Sequence, residues 1–225
     1  LIPPIRSGGP EALHQLAHTL KGLGVDTKIV YMEDTGSSLI PVNQVENLYS
    51  DEYPELITPV DENPLQQVFM IPEIWADYAL SIAPHHTVII WWLSVDNGLL
   101  AIGKARDYID VIRHHPNILH AYQSSYANHF LISLGLQKRC LPLSDYINTA
   151  RLPSASTPPN SPDRPEQNHR LRICHNPAKG KWLSDAFQAS HPEMDLIPLE
   201  NMSRSDVWRE LSACDCYVDF GHLPG

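Results

Sequence analysis

The run Thr87 to Leu93 (TVIIWWL) constrains this chain more than any other stretch, because no polar residue interrupts it after Thr87. A strand with one wet face alternates apolar and polar residues. A strand that is apolar at every position is buried on both faces, as in the inner strands of a parallel sheet covered by helices. Trp91 and Trp92 lie in mid-strand and read as core packing.

The flanking sequence supplies the helices. Ser7-Gly8-Gly9-Pro10-Glu11 predicts a helix start, with Pro in the first turn and an acid at the positive end. Leu13, Leu16, Ala17, Leu20 and Leu23 follow at helical spacing, and Gly24 ends the helix. Thr27–Met32 reads as a strand and Val68–Ile71 as a second one. Leu99–Arg113 reads as one helix, Ile118–Tyr122 as a short strand, and Tyr126–Leu134 as a helix stopped by Gly135. Segment 33–67 reads as loop with at most one short element. The class that follows is α/β, an open sheet with helices on both sides.

Five prolines fall between Pro153 and Pro165, and Arg151–Asn168 is polar, Pro/Ser-rich and without periodicity. It reads as a linker between domain 1–150 and domain 169–225. The second block reads strand Leu171–His175, helix Lys181–Ser190, strand Leu196–Leu199, helix Ser203–Ala213, strand Cys216–Phe220. Ser203 and Asp206 resemble a capping box. This βαβαβ pattern is half of a doubly wound domain. So short a block leaves an open sheet edge, which implies a fragment or a partner (a second copy included) that covers the edge.

The 225 residues carry 16 Lys+Arg against 26 Asp+Glu, a net charge of −10. That balance argues against a nucleic-acid partner. No apolar run reaches the length of a membrane span and no signal peptide is visible, so the expected compartment is cytoplasmic. Peripheral membrane contact through a small local patch stays open. The cysteines, Cys140, Cys174, Cys214 and Cys216, match no common zinc spacing, and Cys214-Asp215-Cys216 reads as a buried strand start with small apolar thiols. The vicinal pairs His85-His86 and His114-His115 diverge and chelate poorly, so no metal site is expected.

Ligands of open α/β sheets gather beyond the carboxyl ends of the strands. Gly8 and Gly9 expose backbone N–H groups to a phosphate or carboxylate, or form a plain tight turn. Ser94, Asp96, Asn97 and Gly98 follow the buried strand, where they orient a sugar hydroxyl, move a proton, or simply cap a helix. His175-Asn176-Pro177-Ala178-Lys179-Gly180 leads into a helix, and Lys beside Gly suits a diphosphate. His175 itself reads as a packing residue at a strand end. No Gly-x-Gly-x-x-Gly, Walker loop, Gly-x-Ser-x-Gly or His-Glu-x-x-His motif occurs.

Together these pieces resemble a family. Ser7-Gly8-Gly9-Pro10-Glu11-Ala12-Leu13-His14-Gln15-Leu16-Ala17 resembles the first helix entry of bacterial glycosyltransferases with two Rossmann domains (the GT-B fold). Trp91–Asn97, Leu143–Ile147, Asn176–Gly180, Ile197–Met202 and Tyr217–His222 resemble further blocks of one glycosyltransferase-like branch, in the same order. The resemblance implies two Rossmann-like domains, the second only a half, in a chain truncated at both ends. It implies a nucleoside diphosphate sugar as donor on the second domain and a glycan or lipid-linked acceptor on the first, with no separate cofactor. It places Gly8 and Gly9 at the glycine loop facing the donor diphosphate, and Lys179 with Gly180 against that diphosphate. Ser94 and Asp96 fall where related enzymes touch the reacting sugar. Retention of anomeric configuration and a role in polysaccharide biosynthesis follow from the resemblance alone. Related enzymes continue past the strand matching Tyr217–Phe220 into a helix whose acids grip sugar and ribose. The alternatives are a non-catalytic sugar- or protein-binding module of Rossmann-like shape and a sugar nucleotide epimerase.

Overall fold

A computed structural model of the chain describes residues 1–36, 38–42, 46–54, 67–102, 106–145, 170–177 and 180–219. It divides into two units, 1–146 and 147–224. The expected linker 151–168 and Lys179 lie outside the described residues. Each unit is α/β around a parallel sheet and Rossmann-like in general character.

Unit 1 opens with Leu1–Ile2 in extended backbone, where Ile2 forms a parallel bridge to Tyr31. Helix α1 (Gly8–Gly22) follows, and Gly24 turns the chain beyond it at φ +83°. The strand expected over Thr27–Met32 is shifted. The ladder is β1 (Met32–Asp34) against β2 (Leu39–Pro41), antiparallel. Tyr31 instead serves the bridge to Ile2, because Asp34 and Gly36 make a local turn that lets β1 fold back on β2. Asp34 Oδ1 accepts the Gly36 N–H at 2.7 Å.

The main sheet is β3 (Val68–Pro72), β4 (Thr87–Trp92), β5 (Ile118–Tyr122) and β6 (Cys140–Pro142), in that order and parallel throughout. A 3-10 segment (Glu73–Tyr78) and α2 (Ala79–Ile82) connect β3 to β4. Two helices, α3 (Val95–Ile102) and α4 (Arg106–His114), connect β4 to β5. Helix α5 (Ser125–Ser133) connects β5 to β6, and Gly135 takes φ +75° after it. The helix expected over 99–113 is described over Val95–Ile102 and Arg106–His114, and residues 103–105 between them lie outside the described residues. The first starts four residues early because Ser94 can cap it. Strand β6 went unpredicted because three residues ending in proline carry no periodic signal.

The pleat of β4 explains why it is apolar throughout. Val88, Ile90 and Trp92 join Ile71, Ala76, Ala79, Ile112, Ile118, Ala127 and Leu131 in one core. Trp91 turns to the opposite face and joins Ala12, Leu13 and Ala17 of α1, with Tyr31 and Ala121; Ile89 packs against the same cluster. Each large apolar side chain fully buried this way contributes about 1.5–3 kcal/mol. The tryptophans keep their N–H groups paired: Trp91 Nε1 donates to Leu143 O (3.0 Å) and Trp92 Nε1 to His120 Nδ1 (3.1 Å).

Unit 2 contains β7 (Arg172–His175), α6 (Lys181–Ser190), β8 (Asp195–Pro198), α7 (Arg204–Ala213) and β9 (Cys216–Val218), with sheet order β8-β7-β9, all parallel. This is the expected βαβαβ pattern with strand ends moved by a residue or two. Ser203 caps α7: its Oγ accepts the Asp206 N–H (3.2 Å) and donates to Asp206 Oδ2 (2.6 Å). Cys214 is buried, whereas Cys216 is exposed, so the reading of both as buried thiols holds for Cys214 only.

Gly98 is the most closely packed of the described glycines of unit 1. A Cβ there would stand 2.9 Å from Trp92 Cζ3 and 3.0 Å from Glu73 Cγ. Gly98→Ala ordinarily gains stability in a helix, by about 0.5–1 kcal/mol. Here it is expected to lose about 1–3 kcal/mol by overpacking. Urea denaturation of the two proteins gives the sign, and a more stable variant would contradict this packing.

Candidate functional site

The four strands of the main sheet deliver their exits along one edge. Glu73 follows β3, Leu93 and Ser94 follow β4, Gln123 and Ser124 follow β5, and Leu143–Asp145 follow β6. Helix α1 begins at the same edge: a Cβ on Gly9 would lie 3.5 Å from Leu93 Cδ1, while one on Gly8 would meet nothing within 4 Å. Gly8, Gly9, Ser94 and Asp96 therefore share one corner of unit 1. Ser94 Oγ accepts the Asn97 N–H at 3.4 Å, the contact of a weak helix cap. Asp96, in the first turn of α3, accepts the Tyr126 hydroxyl at 3.2 Å. Beside it Gln123 Nε2 donates to Asp145 Oδ1 (2.7 Å), and Ser144 Oγ donates to the Gln123 carbonyl (3.3 Å). Carboxylates held by neutral donors, one half-buried and one exposed, with a rim of amide and hydroxyl groups, suit the hydroxyls of a sugar better than a phosphate.

Glu73 stands directly behind this corner and is only 4% exposed. Its Oε2 accepts the Leu93 N–H at 3.1 Å, and the Ser94 N–H also favours its charged form. Burial dominates those bonds and raises its pKa from 4.5 to about 7. The sequence offered one acid after a strand, with no sign of burial. The signal that could have found it is Gly98, which lets α3 close over the carboxyl.

A second buried polar group fixes the entry to α1. His14 Nδ1 lies 2.8 Å from the Pro10 carbonyl, so Nδ1 carries the proton and Nε2 accepts the Tyr31 hydroxyl at 3.2 Å. The Tyr31 oxygen in turn accepts the Leu48 N–H (3.2 Å). The Tyr49 hydroxyl accepts the Ser7 N–H (2.9 Å) and donates to the Ser7 carbonyl (2.9 Å). Arg6 Nε donates to Leu48 O (2.7 Å), with its guanidinium 5.4 Å from the centre of the Tyr49 ring. Residues 47–53 thereby hold the glycine turn in place.

In unit 2, β7 is central, with β8 on one side and β9 on the other, so successive connections leave in opposite directions. That is the switch point at which α/β sheets take up ligands. His175 ends β7 and is buried; its Nδ1 lies 3.0 Å from Ser184 Oγ, which also reaches the Gly180 carbonyl at 3.5 Å. One hydroxyl thus ties both ends of the β7–α6 connection. Gly180 adopts φ +86°, a left-handed conformation that costs a side-chain-bearing residue energy. Lys181 Nζ pairs with Asp185 (2.9 and 3.2 Å), and Trp182 beside it is 69% exposed. His175 is lowered from its ordinary value by burial and by the Lys181 charge, against Asp185 and Glu200. The reading of His175 as a packing residue therefore misses its polar contact. The signal was available as Ser184, one helical turn beyond Gly180 on the face that meets β7.

The structure therefore gathers Gly8, Gly9, Ser94 and Asp96 in unit 1 and places Gly180 in unit 2. Among the described residues no cluster of three or more His, Cys, Asp or Glu side chains is arranged to hold a metal ion. No helix among them is long and apolar enough to cross a membrane. Comparison with known proteins finds no matching family model, no matching curated protein and no matching solved structure.

A carboxyl whose pKa is raised by folding stabilises the fold below its unfolded value and loses that contribution as pH rises through the folded value. For Glu73 the window runs from 4.5 to about 7. At about 1.4 kcal/mol per unit, unit 1 is expected to lose about 3 kcal/mol across it. Glu73→Gln, which stays neutral, should remove the loss. Its stability should match the parent near pH 4 and exceed it at pH 8, as read from denaturation curves at the two pH values.

Proposed function

We propose that the chain is a glycosyltransferase-like protein of the two-Rossmann-domain kind. In this reading unit 2 takes the nucleoside diphosphate sugar and unit 1 the hydroxyl-bearing acceptor, a glycan or a lipid-linked sugar. The observation that carries it is the gathering of polar groups at the carboxyl edge of each of two parallel α/β units in one chain. The chemistry of the two edges differs in the required sense. The unit 2 edge offers the left-handed Gly180 at the start of α6, where the first backbone N–H groups of the helix suit a diphosphate. The unit 1 edge offers Asp96 with Tyr126 and Asp145 with Gln123, which suit hydroxyls. The family resemblance of the motifs suggests the reaction class, and the chemistry of the two edges supports this division of labour.

In the reaction, the bond between the anomeric carbon and the diphosphate oxygen breaks, and a bond to the acceptor oxygen forms. The acceptor proton leaves to a base, and the released diphosphate takes the negative charge. Asp96 accepts a hydrogen bond from the acceptor hydroxyl and orients it, while Ser94 holds the turn that presents Asp96. Charge stabilisation of the leaving diphosphate and positioning of the hydroxyl lower the barrier.

Release of nucleoside diphosphate from a panel of nucleotide sugars tests the reading. Turnover by the chain supports an enzyme. Nucleotide binding without turnover favours a binding module, an epimerised nucleotide sugar an epimerase, and absence of both binding and turnover removes the proposal. In an active protein Asp96→Ala is expected to lower transfer by about 100-fold or more. Undiminished transfer would take Asp96 out of the site.

A further inference from the structure

We propose that Glu73 is a positioning residue of the unit 1 corner: its carboxylate holds the Leu93–Ser94 turn from behind, and transfer requires the ionised form. This rests on the reading of unit 1 as the acceptor-binding unit. Its grounds are the hydrogen-bond donors gathered round the carboxyl and what those donors carry.

Backbone N–H groups converge on this carboxyl. The Leu93 N–H donates to Oε2 at 3.1 Å, and the Ser94 N–H and the N–H of Glu73 itself are directed at the same group. Leu93 and Ser94 form the turn between β4 and α3. The Leu93 side chain lies against Gly9 at the start of α1, and the Ser94 carbonyl accepts the Gly98 N–H at 3.1 Å in the first turn of α3. Asp96 is carried on that same turn of helix. The other acceptor of the Leu93 N–H is the Trp91 carbonyl (3.1 Å), two residues back on the same strand. Glu73 is therefore the link between this turn and the exit of β3. It is too enclosed to meet a ligand itself, so it acts through Ser94 and Asp96.

The two protonation states serve these donors differently. A carboxylate offers two accepting oxygens, and a charged acceptor holds an N–H about twice as strongly as a neutral one. The acid form turns one oxygen into a donor that faces other donors, so the turn is held less firmly. The elements packed against Glu73 bring little competing charge. β3, β4 and α2 contribute no titratable side chain. On α3 the titratable residue is Asp96, which takes the Tyr126 hydroxyl. On the segment of Glu73 itself, Tyr78 donates to Asp34 (2.6 Å), and Asp77 answers to burial and to Asp34. His120, which takes the Trp92 indole N–H, is held near 4 and neutral by burial and the Arg139 charge. Ionisation of Glu73 is thus a contest between burial and the N–H groups, settled at about 7.

Stability and transfer therefore move in opposite directions with pH. The proton favours the fold, and its loss favours the geometry at Ser94 and Asp96. A residue that only supports the fold would weaken both together.

Glu73→Gln tests this, because the amide keeps the shape of the side chain and cannot ionise. Amide NMR of the intact chain reads the turn, and release of nucleoside diphosphate from nucleotide sugars reads transfer. In the parent the Leu93 and Ser94 amide proton resonances are expected to move together with pH, with one midpoint at about 7. Transfer should rise about 10-fold from pH 5.5 to pH 8, the difference between a charged and a neutral acceptor. In Glu73→Gln both resonances should stay flat. Its transfer should stay near the parent's level at pH 5.5, although at pH 8 it is the more stable protein. Parent resonances that do not titrate overturn the role of Glu73, and this measurement needs no variant to fold. A variant that transfers as fast as the parent at pH 8, or keeps the parent's rise with pH, overturns it too and leaves the transferase reading standing. Titrating amides without turnover of any nucleotide sugar remove the transferase reading, and the requirement for transfer falls with it.

Discussion

Burial of β4 on both faces is the constraint from which unit 1 is built. A strand that is apolar on each side needs two partner strands and two covering layers, and unit 1 provides them. Strands β3 and β5 take its hydrogen bonds, α2, α4 and α5 cover one face, and α1 covers the other. A slip of one residue would exchange Trp91 with Trp92 between two differently shaped cores and break both indole hydrogen bonds. The register so fixed sets where Leu93 and Ser94 leave the sheet. The corner that holds Gly9, Ser94 and Asp96 is thus a consequence of packing several residues away.

The parts of this fold legible in the sequence are those whose cause is local. Helix α7 carries its own cap, α1 and α6 carry helical spacing behind a glycine entry, and β4 carries a long apolar run. What escaped has a cause elsewhere in the chain. Strand β6 is three residues long and exists because the His120 N–H donates to the Arg139 carbonyl and the Leu143 N–H to the Tyr122 carbonyl, anchors contributed by β5. The displaced strand at 27–32 reflects the demand of Ile2 for a partner, a contact 29 residues distant in sequence.

The same distinction separates the site residues that sequence reasoning singled out from those it passed over. Gly8, Gly9, Ser94, Asp96 and Gly180 could be picked out because they follow strands or open helices, positions at which polar groups tend to be used. Glu73, His14 and Ser184 were passed over, because their importance comes from being enclosed. A carboxyl becomes proton-poised only when α3 closes over it at Gly98, and a serine ties a loop only when its helix lies across β7. Exposed chemistry is written in the order of the residues. Enclosed chemistry is written in the packing.

The tryptophans give the two units different optical surroundings. Trp75, Trp91 and Trp92 are buried in unit 1, and the Trp92 indole faces a histidine that burial and the Arg139 charge hold near pKa 4 and therefore neutral. Trp182 in unit 2 stands mostly in water. Indoles in apolar surroundings emit at shorter wavelength than hydrated ones. The blue side of the emission band therefore belongs chiefly to the core around β4, and the red side draws on Trp182 at the start of α6 and on the half-buried Trp208 of α7. Loosening of unit 1 moves the blue component, and a molecule settling against the β7–α6 connection alters the red one. The chain thus carries an intrinsic reporter on each unit without added dye or label.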